Sequence, residues 1–138
     1  MAVVLDSSAV VGFLDRSDYL HDAADEAIRE LLASHRLFVS VITYAEVLTG
    51  ARLGHHDEEQ VTGFFTDLIS LVVPVDMAIG DCAARLRAQT KTLAMPDALI
   101  AATAEMNGEV ELLVSGDGDV AGAKGLDCPV RMVGASRT

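Results

Sequence analysis

Short apolar runs alternate along this chain with stretches of helical periodicity, and this alternation restricts the fold more than any other feature. The apolar runs cover residues 3–5, 37–42, 71–75, 111–115 and 130–133. Strands that are apolar on both faces occur in sheets that helices cover on both sides, and strands that alternate with helices pair in parallel. We therefore predict an α/β fold, a three-layer α/β/α sandwich around a central parallel sheet of roughly five strands.

Capping chemistry indicates where the helices begin. Ser17 and Asp18 precede the first amphipathic stretch and are candidate caps for it. Thr43 and Glu46 have the spacing of a capping box, which predicts that a helix starts there, after the second strand. The polar residues 6–8 favour a turn after the first strand, because short polar side chains bond to nearby backbone groups.

The length and composition fit one compact domain. The chain has 138 residues, of which 51% are hydrophobic and 22% are charged, so we predict a single globular domain over residues 1–138. Cys82 and Cys128 lack metal-type spacing, and reduced cysteines are expected. No apolar run is long enough to span a membrane, and the first residues lack the basic segment of a signal peptide, so we expect a cytoplasmic protein.

Four carboxylates stand where a predicted strand ends or a predicted helix begins. They are Asp6, Glu46, Asp97 and Asp117, and Asp119 lies two residues beyond the last of them. The carboxyl ends of parallel strands meet at one edge of a sheet, where open α/β folds bind their ligands. Clustered carboxylates repel one another unless a cation neutralises them, and oxygen ligands without histidine or cysteine select Mg2+ or Mn2+ rather than zinc. The pattern predicts a divalent metal site.

Each of these acids also has a simpler structural explanation. Asp6 can close a turn, Glu46 can complete the capping box, and Asp97 follows a proline where the helix dipole favours a negative charge. Asp117 and Asp119 can belong to a solvated turn flanked by glycines. All of these explanations would have to hold while the topology brings the same residues to one edge, so we favour a site. A metal bound there lowers the pKa of its water for attack on phosphorus, and no Ser, His or Cys nucleophile is needed.

Four sequence motifs carry a resemblance to a known family. They are VLDSSA at residues 4–9, SVITYAEVL at 40–48, MPDALIAATA at 95–104 and LVSGDGDV at 113–120. With these motifs the chain resembles the PIN-domain ribonucleases, and most closely the VapC toxins of bacterial toxin–antitoxin modules, over nearly its whole length. The last motif departs from the family pattern, because Val120 stands where an aromatic residue is common.

The resemblance implies a Mg2+-dependent endoribonuclease, with Mn2+ as a substitute, that acts as the toxin of a toxin–antitoxin module. The catalytic metal ligands are then the four acids named above, with Asp117 the first choice for the fourth position and Asp119 the second. Ser8 and Ser115 are implied as hydroxyls that orient the ligands or the metal-bound water.

The same resemblance implies an RNA substrate, a homodimer and inhibition by a cognate VapB-like antitoxin. The formal charge of -11 opposes nucleic-acid binding by simple electrostatics. A basic antitoxin segment, in contrast, suits an acidic crevice. Arg85, Arg87 and Lys91 lie within two helical turns and close to Asp97 in sequence, and we predict that one or more of these candidates helps to hold the RNA backbone.

Two other interpretations stay open. The chain can be a catalytically inactive PIN-fold binding module, although such a module has no need for mutually repelling acids at one edge. It can also be a Mg2+-dependent phosphoryl-transfer protein, which places an Asp after its first strand. The sequence Ser-Ser-Ala at residues 7–9 replaces the second acid of haloacid-type phosphatases, and no lysine follows a late strand as in a receiver domain.

Overall fold

The computed structural model describes residues 1–134 and has a five-stranded sheet at its centre. The strands are β1 (Ala2–Leu5), β2 (Arg36–Ser40), β3 (Leu71–Val73), β4 (Val110–Ser115) and β5 (Val130–Met132). Their order across the sheet is β3-β2-β1-β4-β5, and every neighbouring pair is parallel. The prediction of an α/β fold with a parallel sheet of about five strands is confirmed.

Helices cover both faces of this sheet. They are α1 (Ser7–Leu14), α2 (His21–Leu32), α3 (Val41–Arg52), α4 (Glu58–Asp67), α5 (Met77–Gln89), α6 (Met95–Glu105) and the short α7 (Gly118–Ala121). Between residues 1 and 134, no helix is long and apolar enough to cross a membrane.

The strand side chains alternate between two hydrophobic cores. Val3 and Leu5 of β1 pack with α1, α2, α3 and α4, whereas Ala2 and Val4 pack with α5 and α6. Successive side chains of a strand point to opposite faces of the sheet, so one strand supplies both cores. The buried parts of the strands are therefore apolar on both faces, and charged residues such as Glu111 and Arg131 stand where a strand is less buried.

The first helix differs from the prediction of a turn at residues 6–8. Ser7 and Ser8 open α1, and Asp6 is its N-cap. This helix packs against α2, α3 and β4, and it has no broad polar face that would produce an amphipathic pattern. It approaches α2 closely at Gly12, where an added Cβ would lie 3.1 Å from the Cβ of Ala24.

The predicted caps of α2 are also wrong. The helix begins at His21, and no side chain caps it. Asp18 instead accepts a hydrogen bond from the N–H of Leu20 at 2.9 Å, and the hydroxyl of Ser17 donates to Asp15 at 2.6 Å. Both residues therefore stabilise the turn between α1 and α2.

The capping box predicted at the start of α3 does not form. Ser40 caps this helix, and its Oγ accepts a hydrogen bond from the N–H of Ile42 at 3.1 Å. Thr43 and Glu46 lie inside the helix, and Thr43 is fully buried. The simple structural explanation for Glu46 is thereby removed.

Candidate metal centre

The predicted acids lie around the point where the strand order of the sheet reverses. From β1 the chain proceeds to β2 and β3 on one side, and it then crosses to β4 and β5 on the other. Asp6 directly follows β1, and Asp117 follows the neighbouring strand β4 by two residues. Glu46 lies on α3, which leaves β2, and Asp97 lies in the first turn of α6. Open α/β sheets bind their ligands at such a switch point.

Asp6 is the most enclosed of these carboxylates, with 3% of its surface exposed. Its Oδ1 accepts hydrogen bonds from the Ser8 hydroxyl at 2.6 Å and from the N–H of Ala9 at 3.0 Å. Burial raises the pKa of Asp6; the hydrogen bonds from Ser115, Ser8 and Ala9 partly offset this rise, and the negative charge of Asp117 adds to it. Asp6 is thus a buried acid, and no cation among residues 1–134 offsets its charge.

Asp97 is partly buried, and its surroundings raise its pKa to about 6. Burial is the largest cause, and the negative charges of Asp117, Asp6 and Glu46 follow in that order. A hydrogen bond between the side chains of Asp97 and Asp117 also favours the protonated form. The four acids therefore interact electrostatically across four separate elements of the fold.

Asp117 and Asp119 differ in their relation to this cluster. Asp117 is the N-cap of α7, and its Oδ1 accepts a hydrogen bond from the N–H of Asp119 at 2.9 Å. The charge of Asp117 raises the pKa of both Asp6 and Asp97, whereas Asp119 is exposed and contributes to neither shift. Asp117 is thus the acid of this turn that faces Asp6 and Asp97.

The donor set suits a hard divalent cation, because all four groups are carboxylates. Within residues 1–134, however, no three His, Cys, Asp or Glu side chains stand close enough together to hold a metal ion in the positions that they occupy. Charge repulsion acts over longer distances than metal–oxygen bonds of about 2.0–2.6 Å. The charges of Asp6, Glu46 and Asp117 therefore act on Asp97, although the four carboxylates as they stand within residues 1–134 do not form a group that could hold a metal.

The two serines that were predicted to orient the acids connect the loops that carry them. The Ser8 hydroxyl donates to Asp6 and accepts a hydrogen bond from the N–H of Gly116 at 2.8 Å. The Ser115 Oγ accepts from the N–H of Asp117 at 2.9 Å and also bonds to Asp6. Both hydroxyls thus join the end of β1 to the turn after β4.

A hydroxyl that the sequence did not single out, that of Ser7, contacts Glu46, and the hydroxyl of Thr43 contacts Ser7. The Ser7 Oγ lies 2.6 Å from Oε1 of Glu46 and 3.2 Å from Oγ1 of Thr43. In sequence, Ser7 follows the first acid directly, and Thr43 precedes Glu46 by one helical turn. The pairing of Ser7 with Glu46 across 39 positions could not be read from either segment alone.

The predicted cations on α5 and just beyond its end have different partners. Arg85 lies 3.8 Å from the carboxylate of Asp81, and Nη1 of Arg87 donates to the carbonyl of Lys91 at 3.1 Å. Lys124 was not predicted, but its N–H donates to Oγ1 of Thr90 at 2.8 Å, which brings it beside the end of α5. We call Arg87, Lys91 and Lys124 the cationic strip; no salt bridge involves them within residues 1–134.

A separate cavity of about 710 Å³ lies between α1, α2 and α4. Phe13, Leu14, Phe64 and Leu68 supply its apolar lining, and charged side chains from α2 and α4 also border it. None of the four acids of the candidate centre lines this cavity.

The comparisons with known proteins agree with this architecture. The profile of the PIN domain family matches residues 3–126. Among curated proteins, none matches the sequence significantly.

Solved structures share the fold. A toxin–antitoxin complex from Klebsiella pneumoniae is 24% identical, with a TM-score of 0.71 over 95% of this chain and 97% of that chain. VapBC2 from Rickettsia felis, bound to a promoter DNA fragment, is 16% identical, with a TM-score of 0.74 over 96% and 98%. VapC20 of Mycobacterium tuberculosis, a Sarcin-Ricin loop cleaving toxin, is 16% identical, with a TM-score of 0.68 over 88% and 94%. At this level of identity the similarity concerns the fold.

Proposed function

This chain belongs to the PIN domain family, and from that premise we propose that it is a divalent-metal-dependent endoribonuclease, the toxin of a toxin–antitoxin pair. The observation that carries the proposal is the convergence of four carboxylates, from four elements, at the switch point of the sheet. The description of VapC20 as a Sarcin-Ricin loop cleaving toxin supports nuclease activity in a protein of this fold.

We assign the metal to Asp6, Glu46, Asp97 and Asp117, with Mg2+ as the expected ion and Mn2+ as its substitute. When bound, a divalent cation supplies a polarised phosphoryl oxygen and a water of lowered pKa. Asp6 contributes a buried carboxylate that three hydrogen bonds hold in place. Asp97 and Asp117 contribute a pair that can share a proton when no cation is present. The charge of Asp117 raises the pKa of Asp6 and of Asp97, and this favours Asp117 rather than Asp119 as the fourth ligand.

We propose that the cationic strip contacts the phosphates of the RNA. Lys91 precedes Asp97 by six residues, and Lys124 follows Asp117 by seven, so the two lysines of the sequence flank the segments that carry two of the acids. Lysines that are not paired with carboxylates can neutralise phosphates without first breaking an ion pair. Arg85 fits this role less well than Arg87 and Lys91, because Asp81 already lies beside it.

We further propose a basic antitoxin and a homodimer as the assembly partners. Four of the structural neighbours are described as VapBC or FitAB systems. A formal charge of -11 together with an acidic crevice favours a partner that brings cations. The cavity between α1, α2 and α4, with its mixed apolar and charged lining, offers such a partner a second contact area away from the acids.

The test is cleavage of labelled RNA by the purified protein, with Mg2+ or Mn2+ and with a chelator. Asp6→Asn and Asp97→Asn should abolish cleavage, since each removes a charge from the metal centre. Asp81→Asn is the matched control, because Asp81 is an exposed carboxylate on α5 and should leave the rate unchanged. Cleavage that resists the chelator, or equal cleavage by all variants, would exclude a metal-dependent nuclease. Binding of Mn2+ without cleavage would instead favour the inactive binding module.

A further inference from the structure

Glu46 is the one proposed ligand that does not sit beside the end of a strand or at a helix start. It lies in the second turn of α3 and is exposed, so its side chain can adopt several rotamers. If no contact selects one of these rotamers beforehand, the glutamate loses conformational freedom when it binds a metal, and this loss weakens binding. Its hydrogen bonds therefore matter for the affinity of the centre.

Ser7 supplies such a contact. It is the first residue of α1, and its Oγ lies 2.6 Å from Oε1 of Glu46. A serine hydroxyl has one proton, and the short distance to a carboxylate indicates that this proton goes to Glu46. Because the single Ser7 proton goes to Glu46, we infer that the Thr43 hydroxyl, whose Oγ1 lies 3.2 Å from the Ser7 Oγ, is the donor in the second bond. The result is a chain of two hydroxyls that ends on one oxygen of Glu46.

The surroundings make this chain rigid. Thr43 is fully buried on α3, and α1 packs directly against α3. Because Ser7 directly follows Asp6, its position is fixed by the same helix start that places the most buried acid of the centre. Oε2 of Glu46 has no hydrogen-bond partner within residues 1–134, so it is available to a cation.

We propose that Ser7, supported by Thr43, is a positioning residue that holds Oε1 of Glu46 and so presents Oε2 to the divalent cation. This inference rests on the proposed function, because it assigns a task to a hydroxyl beside the proposed centre. The competing explanation is structural: the two hydroxyls only join α1 to α3. The two explanations differ in whether the effect of Ser7 depends on Glu46.

The experiment is a calorimetric titration of the full chain with Mn2+. Ser7→Ala should weaken Mn2+ binding by about 10- to 100-fold, the usual effect of losing a group that orients a metal ligand. Ser7→Thr keeps the hydroxyl and should restore affinity to near the wild-type value. In a Glu46→Ala background, Ser7→Ala should have no further effect. Ser17→Ala is the matched control, because its hydroxyl makes a bond of the same length to the remote Asp15 and should leave Mn2+ affinity unchanged.

Circular dichroism checks that each variant is folded. If Ser7→Ala does not fold, Thr43→Val provides the second reading, because it removes the supporting hydroxyl at nearly constant volume and should weaken binding less than Ser7→Ala. Wild-type affinity in Ser7→Ala, or an equal loss with and without Glu46, would overturn the positioning role and leave the proposed function intact. Failure of the wild-type protein and the Ser17→Ala control to bind Mn2+ would overturn both.

Discussion

Replacement of Asp97 by asparagine should make the metal-free protein more stable at neutral pH, although it removes a proposed metal ligand. The surroundings raise the pKa of Asp97 from 3.8 to about 6, mainly through burial and through the charges of Asp117, Asp6 and Glu46. Ionisation of this carboxyl is therefore less favourable in the folded chain than in the unfolded chain. Asparagine has a similar shape and carries no charge, so it removes this unfavourable term.

The magnitude and the sign follow from the shift in pKa. A rise of about two units corresponds to about 3 kcal/mol for a fully enclosed group. Because Asp97 is only partly buried, solvent screens the repulsion, and about 1–2 kcal/mol remains. Between pH 3.8 and about 6 the folded state binds more protons than the unfolded state, so the contribution of Asp97 to stability falls as the pH rises through this range. Above about pH 6 the whole of this contribution of Asp97 to stability has been lost.

The assay is urea unfolding in a chelator at several pH values from 4 to 7.5. Circular dichroism is the suitable signal, because the chain has two tyrosines and no tryptophan. Asp97→Asn should exceed the wild type by about 1–2 kcal/mol at pH 7.5 and approach it near pH 4. Asp81→Asn is the control, because Asp81 is exposed and its pair with Arg85 is worth little.

Saturating Mg2+ should reverse the order of stability, because a ligand that binds only the folded state stabilises the protein that binds it more tightly. A variant that is less stable than the wild type at pH 7.5 in chelator would refute the repulsion argument. A constant difference between the two proteins across the pH range would refute the role assigned to the pKa.

Two further changes test other parts of the structure. Gly116→Ala should lower the free energy of unfolding, measured in urea, by about 1–3 kcal/mol, because the new Cβ would lie 2.4 Å from Cδ1 of the buried Leu20. Gly63→Ala is the control and should not destabilise the protein, because its new Cβ would enter open space. Equal losses in the two variants would contradict the steric argument. Lys91→Gln and Lys124→Gln should each reduce the salt dependence of single-stranded RNA binding, measured in chelator, by a slope of about 0.7, and the double variant should lose about twice as much. Unchanged slopes in all three proteins would remove the cationic strip from the RNA path.

The parallel sheet could be predicted from the sequence because burial on both faces leaves strands without polar interruptions. The acids could be found for a related reason, since a carboxylate at the end of a buried strand needs a partner. The positions of Asp6 and Asp97 depend mainly on their neighbours in sequence. Asp6 caps α1 and Asp97 lies in the first turn of α6, and both positions agree with their sequence motifs.

The features of the fold and of the site that the sequence did not predict depend on how the helices pack. The helix α1 lies against three other elements and carries no amphipathic signal, so residues 6–8 resembled a turn. The contact between Ser7 and Glu46 joins positions 39 residues apart, and the contact of Lys124 with Thr90 joins positions 34 apart. Such pairs are set by tertiary packing, which spacing within a single motif does not encode.

The central place of β1 also has a consequence for the synthesis of the protein. Its neighbour β2 is complete by residue 40, but its other neighbour, β4, spans residues 110–115, and Asp117 follows. A nascent chain therefore holds Asp6 on a strand with one unpaired edge until β4 has left the ribosome. If the chain cleaves RNA as proposed, its activity begins only after β4 and Asp117 have been synthesised, and a product that terminates before β4 lacks one of the four acids.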